Sequence, residues 1–88
     1  MKWLQAMVNT KIHQITPEEL ERYAKPFDLS LTHRESETLA RILKQDKINF
    51  FNKKERAVML KRVEKVIGSS RANKLDMIVQ TFLHENKL

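Results

Sequence analysis

Cysteine is absent from this 88-residue chain, glycine occurs once and proline twice. The lack of cysteine excludes disulfide staples, thiolate metal sites and a cysteine nucleophile. It also fits a reducing compartment. The shortage of turn-forming residues argues against a sandwich of many short strands and for helices joined by short connections. Long apolar runs are missing too: nothing approaches the roughly 20 apolar residues that cross a bilayer. The start, Met1 to Asn9, is basic and then mildly apolar, but Gln5 and Asn9 break it before a signal-peptide core develops. A cytoplasmic protein without membrane attachment is expected.

The chemical signatures of catalysis are equally sparse. There is no glycine-rich phosphate loop and no nucleophile elbow. His13, His33 and His84 lie in three separate segments, and none has a second histidine at helical spacing, so no metal site is expected. His33, at a helix start, suits a neutral surface ring. The adjacent Glu18 and Glu19 resemble paired carboxylates, yet their position is that of a helix start. Thr16 to Leu20 also looks like the opening of a calcium-binding helix, but no Asp-rich loop with its glycine exists. The chain is expected not to be an enzyme and to need no cofactor or small-molecule substrate.

What is present is an ordinary apolar fraction of 41%, arranged with a helical period. A chain this size buries about 60–65% of its unfolded surface, so residues 1–88 are expected to form a single all-α domain, a compact bundle of five short amphipathic helices. Trp3, Leu4, Met7, Val8 and Ile12 give one face to a helix over 2–13. Thr16, Pro17 and Glu19 then form an N-cap, a first-turn proline and a capping box, starting a helix over 17–25. Glu18–Arg22 and Glu21–Lys25 have the spacing of surface ion pairs. Pro26 disfavours helical geometry at Lys25, and residues 27–31 read as an extended connection. A second capping box, Thr32 to Glu35, opens a helix over 33–45 with Ser36, Leu39, Ala40 and Leu43 inward and Glu37–Arg41 outward.

The densest information lies between Ile48 and Gly68. Ile48, Phe50 and Phe51 are too apolar for a simple linker, and one of the two phenylalanines is expected to wedge beneath the helices. Asn52 caps a helix over 53–67 whose buried stripe is Met59, Leu60, Val63, Val66 and Ile67. Arg56 falls on the stripe side, where it suits an ion pair at the core edge. Gly68 sits where a left-handed residue ends a helix. Ser69 or Ser70 then caps a last helix over 70–85, with Ala72, Leu75, Ile78, Val79 and Phe82 inward. The expected core is Leu4, Val8, Ile12, Leu20, Tyr23, Phe27, Leu39, Leu43, Phe51, Met59, Val63, Val66, Leu75, Ile78, Val79 and Phe82.

Charge is the remaining clue. The net charge is +6, but residues 16–30 are net −2 while residues 48–68 are net +4. Lys54, Lys61 and Lys65 fall opposite the buried stripe of their helix and form the candidate polyanion-binding face. Two functions compete. A protein-interaction module, binding another protein or a second copy as a homodimer, suits five short helices bearing Trp3, Met7, Met59, Met77 and Phe82. A nucleic-acid-binding protein using the basic face is the alternative. Against it, the fourth helix lacks the Asn, Gln and Arg set of a base-reading helix start.

The run Val8-Asn9-x-Lys11-Ile12-x-x-Ile15-Thr16-x-x-Glu19-Leu20, with Tyr23-Ala24-Lys25, Leu29-x-Leu31-Thr32, Asn49-x-Phe51 and Glu55-Arg56, resembles the YqfT-like proteins, a small uncharacterised family of bacilli. The resemblance covers most of the chain. It implies a small cytoplasmic bacterial protein and transfers no activity, cofactor or site residue. Pro26 stands where a polar residue is expected, and Phe27-Asp28 where an aromatic-Gly turn is usual.

Overall fold

The computed structural model describes residues 2–45 and 48–85. Among them are helices α1 (Lys2–His13), α2 (Pro17–Ala24), α3 (His33–Gln45) and α4 (Lys53–Glu85), one 3₁₀ turn (Lys25–Phe27) after α2, and no strand. The all-α reading holds, but the described chain has four helices rather than five. Residues 53–67 and 70–85 were expected as separate helices. They belong to one element because only Gly68 leaves helical geometry, at φ 82° and ψ 166°. Ser69 and Ser70, expected to cap a new helix, are themselves helical.

That single residue turns the chain sharply. α4 has 33 residues. At a rise of about 1.5 Å per residue, a straight helix of that length spans about 50 Å. The longest dimension of the molecule is 35 Å. Arg56 and Asp76 would lie about 30 Å apart on a straight helix, yet Arg56 Nε is 3.3 Å from Asp76 Oδ1. The two halves therefore fold back on each other about Gly68. Beside the break, the Arg71 guanidinium donates to the carbonyls of Ile67 and Ser30. It also makes a two-pronged bond to Glu35, at 2.9 and 2.7 Å.

α3 is the central element, packed against α1, α2 and α4. Its Leu39 and Leu43 join Val8, Ile12, Leu20, Phe50, Met59, Val63, Leu75 and Val79 in one buried cluster. The helix starts are closed as their sequences dictate. Glu19 N–H donates to Thr16 Oγ1, and the Glu19 carboxylate accepts from Thr16 N–H. These bonds hold the Glu19 carboxyl below its ordinary pKa. Thr32 and Glu35 repeat the arrangement at α3.

Several expected core residues sit elsewhere. Phe50, not Phe51, is the fully buried wedge, and Phe51 is half-buried against the cluster. Tyr23 is exposed, with the Arg22 guanidinium 5.7 Å from its ring centre. Phe27 is half-buried and outside the cluster, as the 3₁₀ turn swings it off the inner face of α2. Val66, Ile78 and Phe82 flank the cluster, half-buried. Met7, placed on the inner face of α1, is exposed. The expected Trp3 and Leu4 contacts lie outside the described side chains.

Residues 27–31 are not simply extended. Asp28 is left-handed, at φ 55°. Its N–H donates to the Lys25 carbonyl, and Leu29 N–H reaches the Ala24 carbonyl. This is a Schellman closure with buried Ala24 and Leu29 as its apolar pair. Asp28 thus occupies the position where glycine would be favoured.

Candidate partner-binding surface

The basic face rests on a connection held from outside itself. His13, at the end of α1, places Nδ1 2.6 Å from the Leu43 carbonyl and Nε2 3.1 Å from the Ile48 carbonyl. The ring sits in the last turn of α1, between the two carbonyls. The same ring packs on Phe50, centroids 5.1 Å apart. One turn earlier, Asn9 Oδ1 accepts from Phe50 N–H and Asn9 Nδ2 donates to Asn49 Oδ1. Asn49 Oδ1 also accepts from Phe51 N–H, and Asn49 N–H donates to the Glu55 carboxylate. Arg56 Nη1 donates to the Phe50 carbonyl. Asn9, Asn49, Glu55 and Arg56, four of the residues that carry the family resemblance, thereby share one network.

Asn52 finishes the connection. Its Oδ1 accepts from the N–H groups of Lys54 and Glu55, so α4 starts at a fixed rotation. Met59 and Val63 are fully buried. The opposite side of the same helix carries Lys54, Lys61 and Lys65, all exposed. They share one stripe as the sequence predicts, about 17 Å from first to last by helical rise. Arg56, set apart on the core side, makes the expected edge contact with Asp76.

Val58 was not singled out from the sequence. It is 58% exposed and lies in the same stripe, at i, i+4, i+7 and i+11 with the three lysines. Its legible signal was that spacing: an apolar residue among solvent-facing positions contributes nothing to the core. Lys53 and Lys54 also lie in the first turn, the positive end of the helix dipole, where cations are disfavoured. Glu55 shares that turn but is engaged by Asn49.

Other charged side chains are engaged within the fold. The two-pronged Arg71 bond, with the Thr32 N–H, holds the Glu35 carboxyl at a pKa of about 2. Glu21 turns to His33 Nδ1 at 3.2 Å rather than to Lys25, and this bond raises the His33 pKa. The ring, expected as a surface group at a helix start, is exposed and paired with this carboxylate. Among the described residues, no group of three or more His, Asp or Glu could hold a metal ion. No helix there is long and apolar enough to cross a membrane.

Fold and surface together define a small helical protein with a basic stripe, broken by one exposed valine, on its longest helix. The chain belongs to the family described as Protein of unknown function (DUF2624), whose model matches residues 1–83. It is 28% identical over 78 residues to "Uncharacterized protein YqfT" of Bacillus subtilis (strain 168), across 89% of this chain and 93% of that protein. No solved structure matches it.

Proposed function

We propose that the chain is a non-enzymatic, cytoplasmic interaction module whose Lys54–Val58–Lys61–Lys65 stripe docks on an acidic protein surface. The exposure of Val58 among three lysines carries this reading. Protein interfaces bury apolar anchors inside a polar rim, whereas a phosphate-tracking face needs cations alone. The charge excess of residues 48–68 favours nucleic acid as the second reading.

Two variants separate these readings. In pull-downs from the native cytoplasm, a partner captured by the wild type is expected to be lost with both Val58→Ser and the Lys54/Lys61/Lys65 triple reversal to Glu. Random duplex and single-stranded nucleic acid are expected not to be retarded at low salt. Retardation abolished by the triple reversal but unaffected by Val58→Ser would replace the protein reading with the nucleic-acid one.

A further inference from the structure

We propose that Gly68 is an exchange hinge, through which residues 69–85 can leave their own core and take the same place in a second copy of this chain. The proposal is independent of the basic stripe. It rests on how little separates the folded-back α4 from a straight one.

Ordinary helical hairpins are joined by a loop of a few residues that cannot itself become helix cheaply. Here the residues on both sides of the turn are helical, and Gly68 alone departs. Its φ 82°, ψ 166° belongs to a region essentially reserved for glycine. No heavy atom within 4 Å would meet a side chain added there. The bend is thus imposed by backbone torsion and by the packing of the two halves, not by a wedge beneath it.

Rotating one residue into helical geometry would make 53–85 continuous. It would also carry Ala72, Leu75, Val79 and Leu83, all buried, out of their own core. A second chain opened the same way supplies an identical vacancy. Every closed contact then re-forms between chains: Arg56 with Asp76, Arg71 with Glu35 and with the Ser30 carbonyl. This is domain exchange, favoured where a short hinge must turn sharply.

The test is Gly68→Ala, read by light scattering after size exclusion at millimolar concentration. Alanine is penalised at positive φ and favoured in a helix. Each hinge contributes about a 30-fold preference for the straight form, and two hinges tighten dimerisation about a thousandfold. A dimer of Gly68→Ala is expected, and inserting two further glycines after Gly68 in the wild type is expected to give only monomer. In the Gly68→Ala background, chains carrying Arg56→Glu and chains carrying Asp76→Arg are expected to form a mixed dimer when refolded together, because only exchange pairs the new charges between chains; failure of the two to form a mixed dimer would overturn the proposal. Should Gly68→Ala fail to fold, wild-type protein refolded from urea at millimolar concentration supplies the second reading. There a dimer supports the hinge and monomer alone overturns it.

Discussion

The connection from α2 to α3 and the connection from α3 to α4 solve the same problem with different weights on local and remote bonds. Around residues 25–32 the chain closes mainly on itself, though Arg71 and Lys74 of α4 also reach the Ser30 and Asp28 carbonyls. The Asp28 and Leu29 N–H groups bond carbonyls three and five residues back, and Thr32 exchanges bonds with Glu35. From residue 48 to 52 the backbone is held partly by nearby groups and partly by side chains of α1 that lie 35 to 41 residues away. Asn9 and His13 reach it from α1, and Arg56 from α4. A local closure depends on torsions and neighbours. A remote one depends on the whole bundle being assembled, so damage there is felt at every helix.

The largest test of that contrast is to remove the apolar centre of each connection. Phe50→Ala empties a fully buried site and is expected to cost about 3–5 kcal/mol. Phe27→Ala, at a half-buried ring, is expected to cost about 1 kcal/mol. Urea unfolding followed by circular dichroism measures both, and equal losses would erase the distinction.

Asn9→Ala is next in size. It leaves the Phe50 N–H and the Asn49 side chain without their partner, an expected loss of about 2 kcal/mol. In a double-mutant cycle with Asn49→Ala, the two losses should fall well short of adding. Strict additivity would mean that the network is only a collection of separate bonds.

Acid probes the pair that ties the start of α3 to α4. The Glu35 carboxyl has its pKa lowered from 4.5 to about 2 by Arg71 and the Thr32 N–H. The folded state therefore binds this proton less readily than the unfolded chain does. The stability it contributes is full above pH 4.5 and declines as pH falls toward about 2. Glu35→Gln should flatten that limb of a stability-against-pH curve. An unchanged acid slope would show that the carboxylate is not the source.

Asp28→Gly should act in the opposite direction. It relieves a left-handed non-glycine residue, with an expected gain of about 0.5–1 kcal/mol. A higher melting temperature checks it. The smallest effect is on His33, whose pKa the Glu21 carboxylate raises above 6.5. Its stabilisation is present below pH 6.5 and fades as pH rises through the raised value. Glu21→Gln should bring the NMR titration of the ring back toward 6.5.

The same contrast explains what was legible in the sequence. Thr16, Thr32 and Asn52 announced three helix starts because a cap and its partner lie within three residues of each other. The shared exposure of Lys54, Lys61 and Lys65 was legible because one helical period relates them. Val58 shares their spacing and was legible on the same ground. The choice of Phe50 over Phe51 was illegible. Adjacent residues in a turn are separated by backbone torsion, and here Asn9 and Asn49 fix that torsion by bonding the N–H groups of both.

By itself the sequence determined the helical class, the capped helix starts, the buried stripe of 53–67 and the lone glycine as a stop signal, because each arises from interactions within one or two turns. Only the tertiary structure decided which phenylalanine is buried, that Asn9 and His13 hold a connection some 35 to 41 residues away, and that Arg71 joins Glu35. Only it decided that the two halves fold back on each other about Gly68, bringing Arg56 to Asp76. These depend on elements meeting in space, and the free energy that selects them comes from closing the whole core at once.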